Sequence, residues 1–231
     1  MNIESIVAQA RAEGRSLLSE IEAKEVLHQA GVAVERAVLA TTIEAARTHA
    51  EQIGYPVVLK IVSPDISHKS DIGGVKVGLE DADAVTAAFE EIMRNANAAA
   101  PDADITGIAV QHMAPQGTEI IVGMTTDPQF GPVVMFGLGG IMVEVMKDVS
   151  FRIVPVSERD AAQMIDEIKG KAILDGVRGQ PPLDKAAIAK AILAVSEFVE
   201  HNPDIQELDL NPMMVYAEGA IAVDARIALS G

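Results

Sequence analysis

A histidine, three lysines and a glycine pair crowd into one short stretch, Lys60 to Lys76, which reads KIVSPDISHKSDIGGVK. A neutral imidazole nitrogen is a nucleophile, so His68 can accept or donate a phosphoryl group. Lys60 and Lys69 bring positive charge, and Ser70 and Asp71 add polar atoms. Gly73 and Gly74 can free backbone N–H groups, which suits a phosphate. A plainer reading stays open: Gly73-Gly74 as a simple turn between strands, and His68 as an exposed polar side chain. Glycine-rich loops alone are weak signals.

A second group of oxygen-bearing side chains lies near the end of the chain. Asp209-Leu210-Asn211-Pro212 sits at the end of an expected strand, and residues two apart on a strand share a face. Pro212 should limit further pairing there. Asp224, across a turn at Glu218-Gly219, ends the expected partner strand. Asp209, Asn211 and Asp224 can therefore converge. Magnesium takes hard oxygen ligands, often few from the protein, with water and substrate phosphate completing the set. An ordinary Asx turn before Pro212 is the alternative.

The elements that must hold these groups follow from periodicity and punctuation. Pro56 to Val62 is short, apolar and β-branched, between Gly54 and Pro64, and reads as a buried strand. Val75 to Leu79 is the strand after the loop. About a dozen residues between two strands, with no periodicity of their own, usually mark function or disorder. Residues 2–11 suit a helix ending near Gly14. Ser19 to Glu22 has capping-box spacing ahead of a helix over Ile21–Ala30, stopped by Gly31. Val32 to Leu39 alternates like a strand. Thr42 caps a helix to Ile53. Asp81 opens a longer one, with Val85, Ala88, Phe89 and Ile92 on one buried face. In the second half, Ile105–Met113 and Thr118–Met124 flank a turn and predict a hairpin. Pro132–Phe136 is a further strand. Ser157 to Asp160 caps a helix to Lys169, and another helix spans about Leu183 to Glu200. Ile205–Leu210, Met213–Tyr216 and Ala220–Asp224 are the last expected strands. This order predicts an α+β fold of two lobes divided near residues 105–113.

Composition narrows the class. Of 231 residues, 49% are hydrophobic and only 3% aromatic, so aliphatic side chains and Met must fill the core. The formal net charge of −16 repels nucleic acid and anionic membranes. A nucleotide would be repelled too, so a phosphate site has to be a local cluster of lysines, amides and a divalent cation. With no Cys, disulfides and thiol chemistry are excluded. No apolar run is long enough to span a bilayer and no signal-peptide core opens the chain, so a cytoplasmic protein is expected.

Six stretches, in order, resemble one family: EAKEVLHQAGV, GYPVVLKIVSPDISHKSDIGGVKVGL, QHMAPQGTEIIVGMTTDPQFGPVVMFGLGG, DVSFRIVP, EIKGKAILDGVRGQPP, and ELDLNPMMVY followed by AVDARI. Together they resemble an ATP-grasp domain, and more narrowly the nucleotide-binding β subunit of ADP-forming acyl-CoA synthetases. Succinyl-CoA synthetase β subunits are similar more loosely.

The resemblance implies one ATP-grasp domain over residues 1–231, its two α+β lobes clasping a nucleotide between their sheets. Residues of about 21–110 would form the smaller lobe, and about 1–20 with 111–231 the larger. It implies that Lys60 meets the α- and β-phosphates, that Gln111, His112 and Met113 form a hinge facing the adenine, and that Glu119 lies near the ribose. Asn211 and Asp224 would hold Mg2+, with Asp209 where related proteins often have Glu. His68 would be a phosphoryl carrier on a mobile loop, passing phosphate between a phosphohistidine on a partner and ADP. That partner would be an α subunit with CoA-binding and ligase domains, in an α2β2 assembly. The twelve residues Ile61 to Ile72 could span roughly 40 Å fully extended. A self-contained ATP-grasp carboxylate ligase and a non-catalytic nucleotide sensor are the competing expectations. Gly137 to Gly140, Arg152 and Arg178 carry no assigned role.

Overall fold

The computed structural model describes residues 2–66, 68–140, 147–177 and 179–230. Arg178 lies outside them. The chain forms two compact units. The smaller contains Ser19–Ile21 and Glu35–Pro115, and the larger contains Met1–Leu18, Glu22–Val34 and Gln116–Gly231.

The smaller unit is built on a four-stranded antiparallel sheet in the order β1-β4-β2-β3: β1 (Ala37–Ala40), β2 (Val57–Val62), β3 (Val75–Leu79) and β4 (Gly107–His112). Helices α3 (Ile43–Ile53) and α4 (Ala82–Ala99) pack on it. Each helix begins where expected, because the side chains of Thr42 and Asp81 accept the N–H of Ala45 and Ala84. Gly54 ends α3 at a φ of 92°, a left-handed conformation that favours glycine. On α4, Val85, Ala88, Phe89 and Ile92 are buried as their spacing predicts. They meet Val57, Leu59 and Ile61 of β2 and Ile108 and Val110 of β4 in one hydrophobic cluster. Alternation then sends Val58, Lys60 and Val62 to the opposite face, yet these are buried as well.

The larger unit holds a six-stranded antiparallel sheet in the order β10-β8-β5-β6-β7, with β9 also on β8. Its strands are β5 (Thr118–Asp127), β6 (Gly131–Leu138), β7 (Val149–Ile153), β8 (Ile205–Val215), β9 (Ala220–Ala222) and β10 (Arg226–Leu229). One face packs on α5 (Glu158–Glu167) and α6 (Lys185–His201). Ile6 and Ala10 of α1 (Ile3–Ala12) join the same core, with Ala23, Val26 and Leu27 of α2 (Glu20–Gln29). Ser157 and Asp160 form the capping box that starts α5. Asp184 caps α6 through Ala187 and also accepts the N–H of Gly219, tying the β8–β9 turn to the helix.

Three expectations are corrected. Ile105–Met113 and Thr118–Met124 do not form a hairpin. β4 pairs with β1 and β2, whereas β5 pairs with β6 and β8. The chain passes from one unit to the other at Pro115–Gln116, so the apparent turn residues are a connection. The hairpin partner of β5 is β6, through the turn at Asp127 whose Oδ1 accepts the N–H groups of Gln129 and Phe130. Second, Pro212 does not end a strand. β8 runs straight through it, because a register shift opposite Ile120 and Val122 gives the proline a bulge where no ladder N–H is needed. Third, β1 is shorter than Val32–Leu39, although Val34 makes a single parallel bridge to Ala222. Strands β7 and β10 were not anticipated. The α+β class holds.

Phe136 is fully buried in the larger core. Phe136→Ala should cost about 3–5 kcal/mol through lost burial and a residual cavity. Denaturant unfolding followed by far-UV circular dichroism would measure it, and a loss under 1 kcal/mol would contradict this packing.

Candidate functional site

The expected phosphate lysine has a carboxylate partner that sequence reading missed. Lys60 projects from the face of its sheet away from the helices, and its Nζ donates to Glu20 Oε1 at 2.7 Å. The other oxygen of Glu20 accepts from Lys69 Nζ at 2.5 Å. One carboxylate thus bridges Lys60 and Lys69. Side-chain exposure is 2% for Glu20, 8% for Lys60 and 21% for Lys69, so the pair on the strand is the more enclosed. Glu20 was read only as part of a capping box. Glu22 forms a two-pronged pair with Arg15. A lysine in a wholly buried strand needs a counter-anion, and that demand was the one signal in the sequence.

The loop between β2 and β3 is fastened at its base. Ile66 is buried in the smaller core and Ile72 packs against it. Asp65 accepts the N–H of Asp104 at 2.7 Å. Gly74 donates to Lys69 O and accepts from Ile61 N, each at 2.8 Å, and Gly73 donates to Ser70 O at 3.1 Å. These glycine amides are therefore spent inside the loop, and the expectation that they stand free for a phosphate is not met in this conformation. Glycine is required for closeness. A Cβ on Gly74 would lie 2.7 Å from Ile61 Cγ2, and one on Gly73 2.7 Å from Asn95 Nδ2. His68 and Ser70 are exposed at the tip, and His68 O accepts the N–H of Asp71.

Gln111, His112 and Met113 close the smaller unit. Gln111 is buried and, opposite Val58, shares the sheet face of Lys60. His112, opposite Val57, points to the other face. The Met113 N–H donates to Pro56 O at 2.9 Å.

In the larger unit Glu119 is exposed on β5, and its carbonyl accepts the Gly139 N–H at 2.8 Å. A Cβ on Gly140 would sit 2.7 Å from Glu119 Oε2. The glycine run thus lets backbone lie against Glu119. Arg152 is taken by Glu167 through both carboxylate oxygens, at 2.9 and 2.5 Å, and so neutralises acids of its own unit. Asp148 is buried and accepts the N–H groups of Lys169 and Gly170, at 2.8 and 2.7 Å, which joins two of the motif stretches structurally.

Asp209, Asn211 and Asp224 do come together. Strand alternation puts Asp209 and Asn211 on the face away from the helices, where the Asn211 amide favours the ionised Asp209 carboxylate. Asp224 lies in the gap between β9 and β10, after Val223 N has donated to Pro212 O. Lys24, almost wholly buried, donates to Val223 O at 2.9 Å and steadies that gap. Arg226 stands opposite Asp209 on β10. Burial first, and then the charge of Asp224, push the Asp209 carboxyl up to about 6, against the pull of Arg226 and Asn211. Two crowded carboxylates and an amide are a hard oxygen set short of positive charge, which fits a magnesium ion completed by water and phosphate. Among the described residues no cluster of three or more His, Cys, Asp or Glu could hold a metal. The fit therefore rests on the mixed set with Asn211.

A family model described as an ATP-grasp domain matches residues 9–229. The chain is 50% identical to the β subunit of acetate–CoA ligase (ADP-forming) I from Pyrococcus furiosus, over 97% of this chain and 96% of that one. It is 49% identical to acetate–CoA ligase (ADP-forming) I of Archaeoglobus fulgidus, over 90% of this chain but 30% of that longer protein. Among solved structures, the acetyl-coenzyme A synthetase 1 of Candidatus Korarchaeum cryptofilum with coenzyme A and Ca-AMPCP matches at a TM-score of 0.97 and 47% identity, covering 98% of this chain and 99% of that chain. The same synthetase with coenzyme A and Mg-AMPPCP, its phosphohistidine segment pointing towards the nucleotide-binding site, matches at 0.89 and 44%, covering 99% and 100%.

The raised Asp209 carboxyl has a pH signature. Its folded pKa of about 6 exceeds the ordinary 3.8, so the folded chain holds this proton more tightly than the unfolded chain. The stability it contributes is complete below about pH 4 and lost as pH rises through about 6, at most about 3 kcal/mol. Asp209→Asn should flatten that fall relative to wild type and melt higher at pH 8 without divalent cations. Added Mg2+ should stabilise wild type more than the variant. Parallel pH–melting curves would place the repulsion elsewhere.

Proposed function

We propose, on the premise that this chain belongs to the ATP-grasp family and within it to the β subunits of ADP-forming acyl-CoA synthetases, that it moves a phosphoryl group between His68 and ADP. The overall reaction would be acyl-CoA + ADP + phosphate ⇌ acid + ATP + CoA. The two compact units are read together as one ATP-grasp domain. The observation that carries the reading is an exposed imidazole at the tip of a loop whose neighbouring lysine shares a buried carboxylate with the phosphate lysine, Lys60.

In this reading Lys60 meets nucleotide phosphate. An ammonium group has three donors, so Glu20 can keep one while others turn to phosphate oxygens. Glu119 accepts from ribose hydroxyls, and Gln111, His112 and Met113 border the base. Asp209, Asn211 and Asp224 would hold magnesium, which when bound offsets charge on the phosphates. In the ATP-forming direction a terminal oxygen of ADP attacks the phosphorus on His68. The new P–O bond forms as the P–N bond breaks, the electron pair returns to the nitrogen that held phosphorus, and a proton on the other ring nitrogen lets the imidazole leave neutral. Such transfers depend on positioning and charge neutralisation more than on covalent help from the protein. In the other direction neutral His68 attacks the γ-phosphorus of ATP and ADP leaves.

Acyl phosphate and CoA chemistry fall to a partner subunit, read here as an α chain with CoA-binding and ligase domains in an α2β2 assembly. Two features support a partner: the naming of similar proteins as β subunits and the threefold greater length of others. Which acid is used would be set mainly by that partner. The negative net charge and the want of a membrane-crossing helix among the described residues agree with a cytoplasmic site of action.

The purified chain should bind Mg-ADP by calorimetry and make no acyl-CoA alone. With ATP it should acquire acid-labile phosphate at His68. His68→Asn should abolish that label and lower turnover with the partner by at least about 1000-fold, since it deletes the nucleophile, while nucleotide binding stays within twofold. Turnover within tenfold of wild type would remove His68 from the relay. Acyl-CoA synthesis by the single chain would favour a self-contained ligase.

A further inference from the structure

We infer that Glu20 is a positioning residue, a docking post that holds the His68 segment in place through Lys69 and releases it without stranding a buried charge. The inference rests on the phosphoryl-carrier reading of His68 and adds to it the group that sets where the segment lies.

Both oxygens of the Glu20 carboxylate are engaged by cations, Oε1 by Lys60 and Oε2 by Lys69. The two cations differ in what they are attached to. Lys60 is on β2, a strand buried along its whole length and paired on both sides. Lys69 is on the loop, adjacent to His68 in the chain, and is the more exposed of the two. The base of the loop is held by Ile66, Ile72 and the Gly74 hydrogen bonds. Beyond that base, Lys69 ties the segment down twice: its carbonyl accepts from Gly74 N, and its ammonium meets Glu20.

The asymmetry decides which bond can open. Breaking a buried ion pair by removing one partner costs much because the other charge is left uncompensated. When Lys69 departs, Glu20 still has Lys60 and Lys60 still has Glu20. The strand-held pair remains neutral, and Lys69, already near the surface, carries its charge into water. Removing Glu20 is different: both ammonium groups then lose the carboxylate they share. The trio therefore works as a fixed pair plus a detachable third member, and that third member is covalently next to the phosphoryl-carrying histidine. A phosphoryl group on His68 also places a new anion one residue from Lys69, in competition with the Glu20 carboxylate for that ammonium. Loading of the histidine thereby loosens the contact that holds the unloaded segment.

Amide hydrogen exchange on the full chain, read by mass spectrometry, tests this without reference to turnover. Lys69→Gln leaves the Glu20–Lys60 pair intact and should raise exchange at least tenfold in peptides covering Asp71 to Gly74. Peptides of α4 and β5 should be unchanged. Lys69→Arg, which keeps the charge, should restore protection. Glu20→Gln should produce the same local loss. If that variant fails to fold, the Lys69 pair of variants still decides. Protection unchanged in Lys69→Gln, or lost equally in Lys69→Arg, would overturn the inference. A wild-type chain that takes up no phosphate at His68 yet shows these exchange changes would sink the carrier reading and leave the docking contact standing.

Discussion

A charge taken out of water must be matched nearby, or the group shifts its protonation until it no longer carries that charge. The two units meet this constraint in opposite ways on the sheet face turned from their helices. In the smaller unit the carboxylate of Glu20 sits between Lys60 and Lys69, so the cations arrive with their own counter-ion. In the larger unit Asp209 and Asp224 crowd together with Arg226 as partial compensation, and Asp209 responds by holding its proton to about 6. One unit keeps its positive charge in hand through an internal carboxylate. The other carries a local excess of negative charge that a divalent cation would relieve. Both arrangements suit a polyanionic substrate in a chain whose net charge of −16 would otherwise repel it.

Much of this was legible from the residues. Helix starts at Thr42, Asp81 and Ser157 were readable because a capping side chain acts within three residues of itself. The buried face of α4 was readable because four apolar positions repeat at helical spacing. Asp209 and Asn211 share a face because strand alternation is strictly local. Pairing between strands was less accessible. Thr118–Met124 follows Ile105–Met113 across a short turn-like sequence, and nothing local says that the chain there enters another unit. Pro212 looked like a strand end because a proline removes a ladder donor. Only the partner strand β5 reveals the bulge that makes the loss harmless.

The least legible residue is the one that matches the buried lysine charge on the helix-free side of the smaller sheet. Glu20 precedes Lys60 by forty positions in the chain, and an acidic residue at the start of a helix is ordinarily explained by the helix dipole or by a capping box. Neither explanation needs a lysine. Lys24 was hidden for a similar reason: a lysine in a helical pattern is expected to reach solvent, whereas this one is buried and donates to Val223 O beside Asp224. The family motif stretches carried Lys24 without stating what it touches, and Glu20 precedes the first of them. Asp148 is the same case, since its carboxylate closes on the amides of Lys169 and Gly170 from a separate motif.

The fastening of the loop also revises the reach expected of it. Counted from Ile61 to Ile72, twelve residues could extend roughly 40 Å. Ile66 is buried, however, and Gly74 is bonded to both Ile61 and Lys69. With Ile66 buried and the Gly74–Lys69 hydrogen bond kept, only two residues lie between the fixed points, which keeps His68 within roughly 7 Å of Ile66. A longer excursion has to expose Ile66, at about 1.5–3 kcal/mol for a side chain of that size, and give up the hydrogen bonds of Gly74, each worth about 1 kcal/mol net. The sum is modest and compatible with an opening on the microsecond-to-millisecond scale of lid and loop motions. Distance alone therefore does not limit a phosphoryl carrier here; the contacts at the base of the loop do, and they divide the possible movements into a short swing of the tip and a longer one that first undocks the stem.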